Sequence, residues 1–150
     1  MKEQTLVFIK PDHVKLADKI LEELDELGTR LQTVKVDCVP KQVIENHYAI
    51  HKGKSFYDYL VGSFVGRPIV LAVYEGEGIV EKIIAVSGAT DPAKAEKGTI
   101  RTKYSNDSLE IAMAEKRPVK NVIHRADSPE SALYEMKVWE AYLKPDNPHK

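Results

Sequence analysis

The hydrophobic and polar positions of this chain follow two periods, one typical of strands and the other of helices. Strand patterns are short runs that are either continuously apolar or alternating. One alternating run carries Val34, Val36 and Cys38 on one face and Lys35 and Asp37 on the other, as a half-buried strand does. Strands are predicted over residues 5–9, 31–39, 69–73 and 119–123.

Helical spacing occupies most of the sequence between these runs. From Val14 to Leu27 the apolar residues recur every three or four positions, and Gly28 is suited to end the helix. The last helix begins at Ser128-Pro129, since serine caps helix N-termini and proline suits the first turn. Helices are predicted over residues 14–27, 40–51, 55–65, 78–87 and 128–142.

The order of these elements predicts the architecture. Two βαβ-like halves around one sheet give a single α+β domain over residues 1–150, with the ferredoxin-like βαββαβ arrangement. In this arrangement the sheet is antiparallel and the helices are expected on one face. Residues 88–116 lack an apolar stripe and are predicted to form a long loop, with one helical turn near 108–115. Such loops are often functional, whereas the fold alone does not indicate a function.

The charges of the chain nearly cancel, with 22 basic and 23 acidic residues. No global field therefore attracts a nucleic acid or an acidic membrane, and a small-molecule or protein partner is favoured. A single cysteine excludes an intrachain disulfide and a thiolate metal cluster. The N-terminal residues lack the features of a secretory signal and no apolar stretch approaches a membrane span, which predicts a cytoplasmic protein.

Four residues combine the chemistry of phosphoryl transfer. His124 ends a predicted strand just before a helix N-terminus, where backbone N–H groups and the helix dipole favour phosphate. Glu135 lies on the inner flank of that helix, where a carboxylate would bind one imidazole nitrogen and leave the other as nucleophile. Lys10 follows a buried strand, and Arg101 lies among glycines and hydroxyls in the long loop. Phosphoryl transfer depends mainly on such positioning and charge stabilisation.

The motifs that carry these residues resemble those of the nucleoside diphosphate kinase family. They are Lys10-Pro11-Asp12, Gly88-Ala89-Thr90-Asp91-Pro92, Gly98-Thr99-Ile100-Arg101 and Asn121-Val122-Ile123-His124, the last followed by Asp127-Ser128-Pro129-Glu130-Ser131-Ala132. They lie in the family order and span nearly the whole chain. The resemblance implies a ping-pong reaction, in which His124 takes the γ-phosphoryl group of a nucleoside triphosphate and gives it to a nucleoside diphosphate.

The resemblance also implies roles for single residues, a metal and partners. His124, Glu135 and Lys10 match catalytic positions, with Glu135 orienting the histidine. Nucleotide-binding positions match Lys10, Tyr48, Phe56, Thr90, Arg101 and Asn121, and Phe56 is the ring that stacks on the base. Mg²⁺ is implied as the cofactor, held mainly by the nucleotide phosphates and not by a protein cage. The implied partners are nucleoside tri- and diphosphates and further copies of the chain, in a hexamer or a tetramer built from dimers.

The sequence departs from the family pattern around the phosphate. Ile84 replaces a second phosphate-binding arginine of the family, with Lys82, Lys103 and Arg125 as candidates to supply the missing charge. Arg125 and Ala126 stand where the family has a small residue and a serine. The loop between residues 101 and 121 is enlarged relative to the family, in which it covers the nucleotide and packs subunits together.

Two other functions stay open at the level of the sequence. A degenerate homologue would bind nucleotides or protein partners with little turnover, although the retained His124, Glu135 and Lys10 favour an active kinase. A ferredoxin-like nucleic-acid-binding module would show a basic surface and an aromatic-rich strand. The balanced charge and the lack of such a strand argue against that module.

Overall fold

The computed structural model of the chain describes residues 2–144. Its strands are β1 (Lys2–Ile9), β2 (Thr29–Val36), β3 (Ile69–Glu77) and β4 (Ile123–Arg125). They form one sheet in the order β2-β3-β1-β4, and each neighbouring pair is antiparallel. This order is that of the ferredoxin-like fold, so the predicted α+β class is confirmed.

The helices connect the strands. They are α1 (Ala17–Asp25), α2 (Lys41–His47), α3 (Tyr57–Gly62), α4 (Ile79–Ser87), α5 (Ile100–Tyr104), α6 (Leu109–Ala114) and α7 (Pro129–Val138), with 3-10 helices at Pro11–Leu16, Ala49–His51, Pro92–Lys94 and Glu140–Tyr142. As predicted, Ser128 caps α7, and its hydroxyl oxygen accepts a hydrogen bond from the Ser131 N–H at 3.1 Å. No helix within residues 2–144 is long and apolar enough to cross a bilayer.

Helices cover both faces of the sheet, so the expectation of helices on one face was wrong. Along β1, Val7 and Ile9 pack with residues of α1 and α4, whereas Leu6 and Phe8 pack with residues of α2, α3 and the end of α7. All four of these β1 side chains are fully buried. The continuous apolar run 5–9 is the sequence signal for this, because a strand covered on both faces has no polar side.

The long loop predicted over residues 88–116 is interrupted by short helical segments. It contains the 3-10 helix Pro92–Lys94 and the short helices α5 and α6. The helical turn predicted near 108–115 is confirmed by α6, which Ser108 caps by accepting from the Ile111 N–H at 3.1 Å. Helix α5 was missed because it is only one turn long and buries a single apolar residue, Ile100, beside Arg101.

The last strand begins later than the pattern predicted, at Ile123 instead of residue 119. Val122 interrupts it with a backbone φ of 76°, which is unfavourable for a β-branched residue. Its side chain is fully buried, and its carbonyl accepts a hydrogen bond from the Lys10 N–H at 2.8 Å. Strain of this kind clusters at functional sites. At its other end β4 extends to Arg125, which pairs with Val7, so His124 lies within the strand and not at its end.

Candidate active site

His124 is held between a strand and a helix. Its backbone pairs with Phe8 of β1, and the two rings stack with centroids 4.8 Å apart and planes 23° from parallel. From α7, a carboxylate oxygen of Glu135 lies 2.7 Å from Nε2 of His124. The exposed fractions of the two side chains are 15% and 10%. The predicted histidine–carboxylate pair is therefore formed.

The surroundings keep His124 neutral. Burial, followed by the charges of Lys10 and Arg101, lowers the pKa of His124 well below its usual range. A neutral imidazole carries one N–H, and a Glu135 carboxylate accepts it from Nε2. Nδ1 then keeps its lone pair. This tautomer has a nucleophile on the ring nitrogen that does not contact Glu135.

Glu135 is itself close to protonation. Burial raises the pKa of Glu135 to about 7. Because the hydrogen bond couples the two groups, they titrate as one pair that holds a single proton at neutral pH. A second proton goes to the carboxyl group, since the pKa of His124 is lowered and that of Glu135 is raised.

We expect the phosphorylation rate of His124 to fall as the pH drops through about 7, where Glu135 becomes protonated. The carboxyl O–H would then donate to Nε2, and Nδ1 would carry the ring proton in place of its lone pair. Glu135→Gln keeps an oxygen acceptor but does not titrate. The acid limb of its pH–rate profile should therefore move to lower pH, and its maximal rate should be lower than that of wild type. Rapid-quench rates between about pH 5 and 9 measure this limb. An acid limb at the same pH in both proteins would contradict the assignment to Glu135.

Lys10, Asn121 and Thr90 form a connected chain. The Lys10 ammonium donates to Oδ1 of Asn121 at 2.5 Å, and Nδ2 of Asn121 donates to the Thr90 carbonyl at 2.9 Å. Burial, then the charge of Arg101, lowers the pKa of Lys10 to about 7. The Asp12 carboxylate offsets this lowering of the pKa only in part, so a phosphate group in this place would be attracted to the Lys10 ammonium.

Arg101 is buried and holds three backbone segments together. Its guanidinium donates to the carbonyls of Asn121, Ile123 and Gly88 at 3.1, 2.8 and 3.0 Å, and the residue is 4% exposed. Gly88 has a φ of 91°, and a Cβ there would lie 2.5 Å from Oγ1 of Thr99. Only glycine fits this position. Arg101 therefore braces the site, and its charge lowers the pKa of His124.

The two predicted aromatic residues lie at different distances from the nucleophile. Tyr48 is buried, its ring centroid lies 6.1 Å from that of His124, and burial raises the pKa of its hydroxyl. Phe56 is half-buried, with its ring edge against His51 at 5.2 Å between centroids. Tyr48 thus lies beside His124 itself. Phe56 is connected to Tyr48 by the His51 ring, which stacks on the Tyr48 ring with centroids 6.1 Å apart.

His47 contacts the site but was not identified from the sequence. Its Nδ1 accepts a hydrogen bond from Nε1–H of Trp139 at 3.0 Å, and both residues are buried. In the neutral ring Nε2 then carries the proton, without a partner among the described residues. A ring nitrogen of His47, one of His124 and an oxygen of Glu135 lie within 4.8 Å of one another. Because neither His47 nitrogen has a free lone pair, this cluster does not suit a resident metal ion.

A cavity of about 300 Å³ adjoins Lys10. It is lined by Lys10, Pro11, Asp12, Leu60, Ser63, Phe64, Arg67, Arg117, Pro118, Val119 and Lys120. Its walls thus come from the segment after β1, from α3 and the residues that follow it, and from the segment before β4, and they carry more basic than acidic groups. Phe56 is not among these lining residues, whereas Leu60 and Phe64 are apolar groups that the sequence reasoning did not select.

Comparison with known proteins gives one family. Residues 3–142 match the family model described as nucleoside diphosphate kinase. The nucleoside diphosphate kinase of Thermomicrobium roseum is 40% identical over 136 residues, which cover 89% of this chain and 85% of that protein. The nucleoside diphosphate kinase of Pyrococcus abyssi is 39% identical over 140 residues, which cover 92% of this chain and 84% of that protein.

Solved structures agree with this match. An NDP kinase from Pyrobaculum aerophilum superposes with a TM-score of 0.83 at 27% identity, over 96% of this chain and all of the other. A transition-state mimic of the Borrelia burgdorferi nucleoside-diphosphate kinase, with bound vanadate and ADP, gives a TM-score of 0.87. At 23% identity, over 98% and 94% of the two chains, it supports the fold. As its motifs predicted, the chain belongs to the nucleoside diphosphate kinase family.

Proposed function

We propose that this chain transfers the γ-phosphoryl group between nucleotides through a phosphohistidine at His124. The observation that carries the proposal is the 2.7 Å contact between Nε2 of His124 and Glu135, which leaves Nδ1 as the nucleophile. The charges of Lys10, Arg101 and Arg125 all act on this imidazole. Cations around a neutral nucleophile would stabilise the negative charge on the phosphoryl oxygens during transfer.

In the first half-reaction Nδ1 attacks the γ-phosphorus, and the bond from that phosphorus to the bridging oxygen breaks. The electron pair of the broken bond leaves with the nucleoside diphosphate. The phosphorylated ring gains positive charge, which the Glu135 carboxylate stabilises through the Nε2–H hydrogen bond. The second half-reaction reverses these steps with another nucleoside diphosphate, and the free histidine returns.

The nucleotide is proposed to occupy the cavity beside Lys10. Lys10 lines this cavity and its ammonium contacts Asn121, so these two side chains would bind phosphate and sugar oxygens. Tyr48 keeps its proton and is available as a donor. For the base, Leu60 and Phe64 offer apolar contact, and stacking on Phe56 stays a prediction.

The residues of the cavity fit a nucleotide that carries Mg²⁺ on its phosphates. Asp12 is the only carboxylate among the lining residues, and magnesium in such sites is usually bound by one or two carboxylates, water and substrate phosphates. When bound, the ion would neutralise negative charge on the β- and γ-phosphoryl oxygens. Lys10 and Asn121 would position the phosphates that carry it.

Assembly with further copies of the chain is also proposed. Ile111 and Met113 on α6 and Leu133 on α7 expose 47%, 68% and 69% of their surface. Exposed apolar residues on the enlarged loop and on α7 suit a subunit contact better than open water. A cytoplasmic location stays a prediction from the sequence.

The test of the proposed function is a trapped phosphoprotein. We expect incubation with γ-labelled ATP and Mg²⁺ to give an acid-labile, base-stable label on the protein, which an unlabelled nucleoside diphosphate removes. The removed label should appear in the corresponding triphosphate. A wild-type protein that binds ATP but never acquires label would contradict the proposal and would favour a nucleotide-binding homologue without turnover.

A further inference from the structure

Arg125 follows the nucleophile in β4 and lies on the other side of the strand. It pairs with Val7, whose side chain packs on the face covered by α1 and α4. Its side chain is 13% exposed. Nε of Arg125 is buried without a hydrogen-bond partner among the described residues. A guanidinium is thus buried beside the site with part of its donor capacity unused.

The two guanidinium groups of the site differ in what they bind. Arg101 donates three of its five N–H groups, one each from Nε, Nη1 and Nη2, to backbone carbonyls, so its position is fixed by the fold. Arg125 contacts a side chain only through Nη1, which pairs with Asp127. The Asp127 side chain is 83% exposed, so solvent screens this pair and its loss costs little. Of the two groups, Arg125 has more unused donors and is less firmly held by the fold.

The position of Arg125 is also electrostatically close to the reacting atoms. Its charge lowers the pKa of His124, of Lys10 and of Arg101. Three cations around one neutral histidine repel one another, and a phosphate group would relieve this repulsion. The charges alone do not say which cation contacts the phosphate, but the buried, unpartnered Nε makes Arg125 the available donor.

The other candidates for the charge absent at position 84 have different surroundings. Ile84 is partly buried and packs against the apolar cluster on the α1 and α4 face. Lys103 pairs with Glu23 and lies over the Tyr104 ring. Lys82 is exposed on α4.

We propose that Arg125 binds the phosphoryl group in transfer, and that it supplies from β4 the guanidinium that Ile84 cannot supply from α4. The inference rests on the proposed function of His124. Asp127 pairs with Arg125, and phosphate oxygens would replace Asp127 when a nucleotide binds. A planar guanidinium suits this role because it binds two phosphate oxygens at once.

The test moves the guanidinium from position 125 to position 84. We expect Arg125→Gln to lower kcat/KM for ATP by about 10- to 100-fold, the usual range for a lost charge-assisted hydrogen bond. Adding Ile84→Arg to Arg125→Gln should restore at least part of the lost kcat/KM. If Arg125 had only a structural role, a guanidinium at position 84 would not restore it. The kcat/KM of Arg125→Lys should lie between those of wild type and Arg125→Gln. Lys82→Gln and Lys103→Gln serve as controls and should stay within about twofold of wild type.

The outcomes separate this inference from the proposed function. If the wild type forms no phosphoprotein, the proposed function fails, whatever the variants do. If the wild type is labelled and Arg125→Gln keeps its kcat/KM within about twofold, the assignment of Arg125 is overturned while the kinase stands. A loss in Arg125→Gln that Ile84→Arg does not restore also overturns the assignment, provided that thermal unfolding shows both variants to be folded.

Discussion

His124→Ala is expected to lose the nucleoside diphosphate kinase activity by at least about 10⁴-fold, the scale seen when a covalent nucleophile is removed. The physical reason is that no other described group combines a neutral nitrogen nucleophile, an orienting carboxylate and adjacent cations. His47 is nearby, but its Nδ1 accepts from Trp139 and its Nε2 carries the proton. It cannot take the phosphoryl group in place of His124.

A second histidine provides the control for that experiment. His13 is also partly buried, and its Nε2 lies 3.1 Å from the Tyr104 carbonyl. His13→Gln preserves a side-chain N–H for this contact and should retain activity. Steady-state exchange between ATP and a second diphosphate measures both variants. Comparable losses in the two would show that activity depends on general packing and not on the His124 imidazole.

Arg101→Lys is expected to lower the free energy of unfolding by about 3 kcal/mol, although the formal charge is unchanged. One ammonium cannot satisfy the carbonyls of Asn121, Ile123 and Gly88 from a single point, so buried acceptors are left without donors. Because these carbonyls belong to the segments that position the nucleophile, turnover should fall as well. Urea unfolding followed by Trp139 fluorescence gives the first quantity, and the exchange assay gives the second.

Arg30→Lys is the matched control for Arg101→Lys. Arg30 also donates through two nitrogens, to Asp25 and Thr33, but at the surface with 27% of its side chain exposed. Its replacement should change stability by less than about 1 kcal/mol. If Arg101→Lys were no more destabilising than Arg30→Lys, the bracing role of Arg101 would be wrong.

The sequence was sufficient to predict the elements with strong local signals. The apolar run 5–9 predicted β1, and Ser128-Pro129 predicted the start of α7. The pair of His124 and Glu135 followed from the predicted last strand and this capped helix, although the strand begins later than predicted. Local signals of this kind depend on neighbouring residues alone, so they can be read from the chain itself.

Other features depend on contacts between distant residues. The burial of Arg101 on three carbonyls arises from segments up to 22 positions away, and no local pattern indicates it. The positive φ of Val122 contradicts its own β propensity, since the tertiary contact with Lys10 prevails over local preference. The role of His47 is set by Trp139, which lies 92 positions further along the chain.

The most direct test of the account is the position of the phosphoryl group on the ring of His124. Glu135 contacts Nε2, so the account requires the group on Nδ1. Phosphorus NMR of the phosphoprotein, compared with the two authentic phosphohistidine isomers, distinguishes these nitrogens. The account predicts only the Nδ1 isomer at His124. Phosphate on Nε2, or on any other residue, would contradict it.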